Sequence, residues 1–398
     1  MLTVEEALDQ ILSRIGRLGT EGLDVSSALG RTLAETIVSR REILPWCKSS
    51  MDGYAVRSAD TGDVELIVVG RIAAGALPSR ALGPGEAMRI FTGAPLPDGA
   101  DAVVPQEDVD AAGDRVRLRQ RIASGAFVRP AGEDVRIGDI VLEPGQTIRA
   151  AEIGLLATLG YGRIVVVRRP RVAILSTGNE LADLGTEPGP GQIPNTNTYS
   201  LMAQVREAGG EPINLGVAPD RLEAIEERLR AGATADMLVS SAGVSVGEAD
   251  LVRDAMTKLG AELHLWRVSM RPGKPITFGS LHGRPVFGLP GNPVSAMVTF
   301  ELFVRPALLT MSGRRDVHRP RVKARALAPI TNPGSRRGYL RVTLVRDGDR
   351  LGARLTGEQG SAILRSMVLA DGLAVLEGDT SVEAGERVDV ILLHDIAR

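Results

Sequence analysis

The chain has 398 residues and a formal net charge of -2, with 47 basic and 49 acidic side chains. This length exceeds one hydrophobic core and predicts roughly two to four domains. Aromatic residues make up only 3%, which disfavours single-stranded nucleic-acid binding, because base stacking needs exposed rings. The balanced charge creates no basic field for nucleic acid or an anionic membrane, so we expect neither as a partner.

The cysteine content and the N-terminus indicate a cytoplasmic protein. The single cysteine, Cys47, excludes an internal disulfide and fits a reducing compartment. We expect it to be a small buried hydrophobic residue. The first 15 residues carry early acids and an amphipathic pattern, unlike a signal peptide, and no apolar run approaches the length of a membrane span.

Two separated segments predict one discontinuous domain. Thr3 and Glu6 form a capping box at the start of an amphipathic helix. A second helix is predicted over Ser26–Ala34, and a third over 151–160, with Gly160 as the residue that ends it. Because a β region separates these helices, we expect residues 1–44 and 140–168 to pack together.

The inserted segment, residues 45–139, predicts a small β domain, since from residue 64 short apolar runs alternate with Gly/Pro turns. Asp52 precedes Gly53 in a strong turn signal, and local sequence favours a turn role for it. Thr92 ends a strand in a loop that presents a hydroxyl and free N–H groups, although an ordinary hairpin explains it equally. Asp134 lies in a charged turn that is typical of a solvated surface.

Residues 169–314 alternate between strands and helices, which predicts a mostly parallel sheet with helices on both faces. Asn197 and Asn292 are predicted helix N-caps, and Asp220 with Glu223 has the pattern of a capping box. Residues 318–398 return to short strands and predict a small barrel within the last domain, 315–398. The fold class is therefore an α/β multidomain protein.

Polar or glycine-rich loops follow four strands of this α/β region. In a parallel sheet such loops share one edge, where ligands bind. The loops bring acids (Glu180, Asp250) and bases (Arg271, Lys274) to that edge. This mixture suits a phosphorylated ligand held by Mg²⁺. The alternative is a set of separate solvated loops, with Asp250 only complementing a helix dipole. The loops are 176–180, 240–250, 270–275 and 290–293.

Other enzyme classes lack support in the sequence. The chain contains no Walker A motif and no GxGxxG after a strand, which argues against an ATPase or a dinucleotide dehydrogenase. It contains no GxSxG nucleophile motif. The four histidines are far apart and form no metal-ligand pattern.

The motifs, taken in order, resemble the molybdopterin molybdenumtransferase family of the MoeA type, whose animal counterpart is the E domain of gephyrin. Each motif is weak alone, but the ordered set is specific and covers nearly the whole chain. The motifs are SSMDGYA at 49–55, RIFTGAPLPDGADAVVPQED at 89–108, RPAGEDVRIGD at 129–139, LSTGNEL at 175–181, SAGVSVGEAD at 241–250, MRPGKP at 270–275, GLPGNPVS at 288–295 and GEQGSAILRSM at 357–367.

The resemblance implies an elongated discontinuous domain, an inserted β domain, a three-layer molybdopterin-binding α/β domain and a C-terminal β-barrel. It also implies a homodimer, in which the α/β domain of one subunit and the β domain of the other form each active site. The implied reaction is Mg²⁺-dependent: adenylylated molybdopterin is hydrolysed, molybdate joins the dithiolene and AMP leaves. Further implied partners are the molybdopterin adenylyltransferase and molybdoenzyme clients.

The resemblance also implies residue roles. The inserted domain contributes Asp52, Thr92 and Asp134 to catalysis, and the α/β domain contributes Glu180, Asp220 and Asp250. Mg²⁺ is held by Glu180 and Asp250. The oxyanions are bound by Arg271 and Lys274, with Arg341 and Ser361 from the last domain. The other implied substrate-binding residues are Ser176, Thr177, Gly178, Gly243, Ser245, Gly247, Pro290, Gly291 and Asn292.

Two positions depart from the family pattern. Ala242 replaces a glycine, which restricts a positive φ, and Arg271 replaces a lysine, which changes the geometry of anion binding. Two alternative functions stay open. Molybdopterin adenylyltransferase activity is disfavoured because it needs only the α/β region. A non-catalytic scaffold or paralogue is disfavoured by the retained acids.

The acidic set generates a direct prediction. We expect Asp250→Asn to leave folding intact and to abolish molybdenum insertion, because one predicted Mg²⁺ ligand is lost. An insertion assay on the purified variant, with circular dichroism as the folding control, measures this. Activity close to that of the unchanged chain would refute the assignment of Asp250.

Overall fold

The computed structural model describes residues 1–43, 45–242, 251–347 and 350–395. Helix α1 (Val4–Leu12) begins as predicted, because the Glu6 N–H donates to Thr3 Oγ1 at 3.1 Å and the Thr3 N–H donates to the Glu6 carboxylate at 2.8 Å. Its apolar face is buried. Strands β1 (Thr20–Asp24) and β2 (Ile37–Val38) follow.

The predicted helix over Ser26–Ala34 is wrong. Only Val25–Ser27 form a single 3-10 turn, and the chain then turns at Gly30, whose φ is +75°. Thr32 and Leu33 form β-bridges with residues of the returning segment. The backbone hydrogen bonds of this stretch are therefore made with distant chain, so tertiary pairing overrides a weak local helical pattern.

The inserted β domain contains a six-stranded sheet in the order β7-β4-β6-β5-β9-β8, with a hydrophobic cluster on each face. Cys47 at its start is exposed, so the prediction of a buried cysteine is wrong. The strands are β3 (Lys48–Ser49), β4 (Gly53–Val56), β5 (Val64–Ile72), β6 (Glu86–Ile90), β7 (Ala102–Pro105), β8 (Val109–Ala112), β9 (Arg115–Leu118) and β10 (Val128–Arg129).

The returning segment completes the first domain. Strand β11 (Ile140–Leu142) pairs with β2, and β12 (Arg163–Val167) pairs with β1. Helix α2 (Ala150–Thr158) lies between them. Gly160 follows the helix with φ of +80°, and its N–H donates to the Ala157 carbonyl, as predicted for a terminating glycine.

The α/β domain is a three-layer structure, and the predicted fold class is confirmed. Its sheet has the order β16-β13-β17-β21-β20-β18, of which the first four strands are parallel. The elements are β13 (Arg171–Thr177), β14 (Leu181–Ala182), β15 (Ile193–Pro194), α3 (Asn197–Glu207), β16 (Glu211–Ala218), α4 (Leu222–Ala231), β17 (Met237–Ser241), α5 (Leu251–Lys258), β18 (Glu262–Arg267), β19 (Met270–Arg271), β20 (Pro275–Leu281), β21 (Arg284–Leu289), α6 (Pro293–Thr299) and α7 (Arg305–Met311).

Helices cover both faces of this sheet. Helices α3, α6 and α7 contribute to the hydrophobic cluster on one face, and α4 and α5 to the cluster on the other. A π-helical turn, Phe300–Val304, joins α6 and α7 into one helix that is long and apolar enough to cross a membrane. However, 83% of its apolar window is buried within the fold. Core packing therefore explains its composition.

Helix starts in this domain differ in part from prediction. Asn292 is the N-cap of α6 with Pro293 as the first helical residue, as predicted. Asn197 is instead the first residue of α3, and Thr196 occupies the cap position. The predicted capping box at Asp220 is wrong as well, because Arg221 occupies the N-cap position of α4 and makes no side-chain cap hydrogen bond. Both polar side chains are consequently available for other contacts.

The C-terminal domain is a closed five-stranded barrel in which β24 pairs with both β25 and β26, and β28 lies between β22 and β26. Strand β19 pairs with β24 and so joins the barrel to the α/β domain. The elements are β22 (Arg321–Ala326), β23 (Ile330–Asn332), β24 (Arg337–Asp347), β25 (Arg350–Leu355), α8 (Arg365–Val368), β26 (Gly372–Leu376), β27 (Thr380–Val382) and β28 (Arg387–Leu392).

Candidate active site

The carboxyl ends of four parallel strands lie level with one another. Ser176 in β13 pairs with Ser241 in β17, which in turn pairs with Leu289 in β21, and Thr177 pairs with Ala218 in β16. Ser176 and Thr177 are buried, and the Ser176 hydroxyl lies 2.7 Å from the Thr198 hydroxyl. The loops that follow these strands therefore open at one edge of the sheet, which is the position where ligands bind in such folds.

The loop after β13 requires glycine at position 178. Gly178 has φ of +145°, and its N–H donates to the Ala218 carbonyl. A Cβ atom at this position would lie 2.5 Å from Oε2 of Glu180. The Glu180 carboxylate thus folds back over the glycine, and any larger residue would displace it.

Asp220 contacts this same loop. Its carboxylate accepts the Asn179 N–H at 3.2 Å, and its own N–H donates to the Asn179 side-chain oxygen at 3.1 Å. The structure therefore associates two predicted acids with this loop: Glu180 lies in it, and Asp220, which follows β16, hydrogen-bonds to it. The third, Asp250, lies outside the described residues, as do the predicted substrate-binding residues Gly243, Ser245 and Gly247.

Asn197 connects the other two loops, and the sequence interpretation missed this role. Its side-chain amide donates to Ser241 Oγ at 2.6 Å and to the Gly291 carbonyl at 2.7 Å. The Asn197 Oδ1 atom is buried and has no hydrogen-bond partner among the described residues. A polar residue at a helix start suggests a cap, and only the tertiary structure shows that this amide reaches across two strand ends.

Ala242 occupies a backbone conformation that favours glycine. Its φ is +75°, and its N–H donates to the Leu289 carbonyl at 3.0 Å. The sequence analysis identified this alanine as a departure that restricts positive φ, and the structure shows that the chain adopts this conformation nonetheless. For an L-residue the left-handed region costs roughly 1–2 kcal/mol. Ala242 thus retains strain beside the Pro290–Asn292 loop.

The barrel approaches the same edge. Asn292 Nδ2 donates to Ser361 Oγ at 2.9 Å, and the Val294 N–H donates to the Ser361 carbonyl at 3.1 Å. Gly360 next to Ser361 accepts a hydrogen bond from the Arg341 guanidinium at 3.1 Å. The predicted residues Ser361 and Arg341 thus join the α/β edge within one chain.

Arg341 is a fully buried cation with an unused donor. Its Nε donates to Ser366 Oγ at 3.0 Å, while Nη1 is buried and has no hydrogen-bond partner among the described residues. Burial lowers its pKa to about 10, and the nearby positive charge of Arg271 contributes to this shift. An anion placed here would satisfy the free donor and offset the repulsion between the two guanidiniums.

Arg271 and Lys274 lie in the exposed part of the same loop. The Arg271 guanidinium donates to the Pro333 carbonyl of the barrel at 3.0 Å. The loop between them turns at Gly273, whose added Cβ would lie 2.5 Å from Thr299 Oγ1 of α6. Glycine therefore allows this basic loop to pack closely on α6.

In the inserted domain, Asp52 and Thr92 form a pair. Asp52 Oδ1 accepts the Thr92 N–H at 2.7 Å and the Thr92 hydroxyl at 2.8 Å. These two hydrogen bonds, the backbone one first, hold the pKa of Asp52 below its ordinary value, and the positive charge of Arg89 adds to the effect. Asp52 is thus an oriented, ionised carboxylate, although local sequence favoured a turn role.

Asp134, the remaining predicted site residue of the inserted domain, is not hydrogen-bonded to this pair within the described residues. It is exposed in a turn before Val135. Among the described residues, no hydrogen bond joins Asp134 to Asp52 or Thr92, and none joins that pair to the α/β edge. A single chain therefore presents two groups of predicted site residues that are not directly connected.

The oxygen donors of the site bear on whether it can hold a metal ion. Among the described residues, no group of three or more His, Cys, Asp or Glu side chains lies close enough to hold a metal ion. Glu180 is exposed, and its carboxylate has no hydrogen bond or ion pair within the described part of the chain. Such a carboxylate fits Mg²⁺, which commonly uses one or two protein carboxylates together with substrate oxygens.

The fold and this edge define a multidomain α/β protein with acidic and basic side chains near the carboxyl ends of its parallel strands. Comparison with known families specifies it further. Three family descriptions match successive parts of the chain: the MoeA N-terminal region (domains I and II) at residues 2–160, a probable molybdopterin binding domain at 173–310, and the MoeA C-terminal region (domain IV) at 323–393.

Several similar proteins are named molybdopterin molybdenumtransferase. Molybdopterin molybdenumtransferase 1 of Mycobacterium tuberculosis is 39% identical and covers 93% of each chain. The molybdopterin molybdenumtransferase of Haemophilus influenzae is 34% identical over 98% of each. A crystal structure of a molybdopterin biosynthesis MoeA protein from Pyrococcus horikoshii superimposes with a TM-score of 0.86 at 31% identity, covering 98% of this chain and 100% of that one.

The chain therefore belongs to the MoeA family of molybdopterin molybdenumtransferases. It is a transferase of molybdenum cofactor biosynthesis that inserts molybdenum into molybdopterin.

The Asp52–Thr92 pair predicts a pH effect. Thr92→Val removes the hydroxyl donor, so the depressed pKa of Asp52 should rise toward its ordinary value and the carboxylate should protonate at higher pH. Thr92→Ser keeps the hydroxyl and should leave the pKa unchanged. A ¹³C NMR titration of the Asp52 carboxyl measures both variants. Identical curves for valine and serine would exclude a role for the hydroxyl.

Ala242 predicts a stability effect. Ala242→Gly should stabilise the fold by about 1 kcal/mol, because glycine adopts a positive φ without steric cost. Ala203→Gly, on the exposed side of α3, is the matched control and should destabilise by roughly 0.5–1 kcal/mol. Urea unfolding gives both values. The prediction fails if the two substitutions destabilise equally.

Proposed function

We propose that the enzyme hydrolyses adenylylated molybdopterin in a Mg²⁺-dependent reaction in which AMP leaves and molybdate joins the dithiolene. The observation that carries this proposal is the level register of β13, β17 and β21: the loop of Glu180, which Asp220 contacts, opens at the same edge as the loop of Asn292, which the barrel's Ser361 joins. The buried Arg341 and the exposed Arg271 add basic groups from the barrel side. A pyrophosphate-linked substrate and an oxyanion both need this combination of acids and bases.

The loop after β13 binds the phosphate-linked part of the substrate in this proposal. Gly178 allows close approach of the backbone, and Asp220 fixes the orientation of the Asn179 amide. Asn197 keeps the facing loops in place through Ser241 and Gly291. The substrate is thereby oriented by groups that are already positioned before it arrives.

The basic side of the edge holds molybdate. Arg341 has a buried Nη1 atom with no hydrogen-bond partner among the described residues, and its pKa is lowered by burial and by the neighbouring Arg271 charge. A divalent oxyanion would accept a hydrogen bond from Nη1 and would offset the repulsion between the two guanidiniums. Lys274 and the Ser361 hydroxyl add donors from the adjoining loops.

Glu180, together with Asp250, would hold Mg²⁺. When bound, the ion supplies charge neutralisation for the phosphate oxygens of the substrate. Because the described residues around Glu180 offer few further ligands, the metal and the substrate are expected to bind cooperatively.

The inserted domain acts in trans. We infer a homodimer, since the Asp52–Thr92 pair has no hydrogen bond to the α/β edge of its own chain among the described residues. A second copy would bring its ionised Asp52 to that edge. The further partners are the adenylyltransferase that makes the substrate and the molybdoenzymes that receive the product, all within the cytoplasm.

The chemistry is tested by measuring AMP release from adenylylated molybdopterin, with molybdate and Mg²⁺ each present or withheld. We expect release only when both are present, because Mg²⁺ pairs with the acidic residues of the site and molybdate pairs with the basic ones. Release that needs neither would refute the proposed coupling, and tight substrate binding without release would indicate a scaffold.

The dimeric site is tested by mixing two inactive variants, Asp52→Asn and Glu180→Gln. Half of randomly mixed dimers contain one chain of each kind, and each such dimer has one intact site if the two residues act in trans. We therefore expect roughly a quarter of the original activity after mixing. If the residues act within one chain, no mixed dimer has an intact site and activity stays absent. Size-exclusion chromatography confirms subunit exchange.

A further inference from the structure

Two arginines lie side by side on the sheet of the inserted domain. Arg71 of β5 and Arg89 of β6 are partners in the register of these two strands. Both guanidiniums lie over the ring of Phe91, with Cζ of Arg71 4.7 Å and Cζ of Arg89 5.2 Å from its centroid. Phe91 directly precedes Thr92, which holds the Asp52 carboxylate. This arginine pair therefore adjoins a predicted catalytic residue.

The arginine pair has no carboxylate partner. Among the described residues, neither Arg71 nor Arg89 forms an ion pair. Arg115 on the neighbouring strand β9 does form one, since its guanidinium lies 2.6 Å from the Glu65 carboxylate. Like charges on adjacent strands repel each other. The pair is therefore unfavourable by itself, and an anion between the two guanidiniums would offset the repulsion.

The two arginines differ in how far the protein already uses them. Arg89 donates to the Gly53 carbonyl at 3.4 Å and to the side-chain oxygen of Gln106. The adjacent acid, Glu107, accepts a hydrogen bond from the Gln106 side-chain amide at 3.2 Å. Arg71 is exposed, and its guanidinium makes no hydrogen bond within the described residues. Its donors are therefore open to a ligand.

Asp52 creates a need for such cations. Its carboxylate is ionised, because the hydrogen bonds from Thr92 and the charge of Arg89 lower its pKa. In the function proposed above, Asp52 approaches a phosphate-linked substrate at the edge of a second chain. Two anions repel each other, and positive charge on the same face offsets that repulsion. The position of the arginine pair beside Asp52 meets this requirement.

We propose that Arg71 and Arg89 bind a phosphate group of the substrate while Asp52 of the same chain acts beside it. Arg71 donates from its open guanidinium, and Arg89 contributes its charge from a fixed position over Phe91. This inference rests on the proposed function and adds a phosphate-binding role to the inserted domain. The phosphate is thus held from two chains, by the loops of one α/β edge and by the arginine pair of the other chain.

The kinetics of AMP release test the role of Arg71. Arg71→Gln should raise KM for adenylylated molybdopterin about tenfold with little change in kcat, because a charged hydrogen bond to the phosphate is lost. Arg71→Lys keeps the charge and should recover part of the loss. The control, Arg115→Gln, removes an exposed arginine of the same sheet and should leave KM unchanged. Equal KM values for Arg71→Gln and the control would overturn the proposal.

Mixed dimers show which chain supplies Arg71. In the first mixture, Arg71→Gln is placed on the Asp52→Asn chain, and the other chain carries Glu180→Gln. The working site then contains an unchanged Arg71, so KM should be ordinary. In the second mixture, Arg71→Gln is placed on the Glu180→Gln chain, and KM should rise about tenfold. The opposite pattern, or equal KM values in the two mixtures, would contradict the proposal.

A binding experiment separates this proposal from the proposed reaction. Calorimetric titration with inorganic pyrophosphate needs no turnover, and Arg71→Gln should bind it about tenfold more weakly than Arg115→Gln. This result without any AMP release would refute the reaction and support the phosphate site. Absent binding, or equal affinity of the two variants, would refute the phosphate site even if AMP release is observed. Circular dichroism establishes that each variant is folded.

Discussion

The parallel register of β13, β17 and β21 is the constraint on which the site depends. Backbone hydrogen bonds set Ser176, Ser241 and Leu289 level, so the loops that follow must open at the same edge. Each loop alone is an ordinary polar turn. Together they place Ser241 at the end of β17 and the Gly291 carbonyl after β21 within hydrogen-bonding reach of Asn197. The geometry of the candidate site is thus a consequence of strand pairing.

Charge placement shows why the site needs a ligand. Arg341 is buried beside the charge of Arg271, and within the part of the chain that the structure describes one of its donors has no partner. Such an arrangement is unfavourable in the free protein and becomes favourable with an anion. Glu180 presents the opposite case, an exposed carboxylate that has no protein partner within the described residues. The acidic and basic parts of the candidate site are therefore held independently of each other, and Ala242 retains strain beside the loop that follows β21.

Sequence reasoning succeeded where local rules dominate. The capping box at Thr3, the cap at Asn292, the terminating Gly160 and the alternation of strands and helices all follow from short-range geometry, and the structure confirms them. Prediction from local sequence failed where a residue distant in the chain offers a competing hydrogen-bond partner. The stretch at Ser26–Ala34 pairs with a returning segment, and Asp220 binds the Asn179 amide in place of capping α4.

The sequence by itself determined the family, the fold class and the identity of the charged residues, because ordered motifs and hydrophobic periodicity are properties of the chain alone. Only the tertiary structure decided that Asp52 is held by Thr92, that Asn197 joins two strand ends, and that Arg341 is buried without a full set of partners. These facts depend on residues that are distant in sequence. Their contacts form through packing and strand register, which no local pattern encodes.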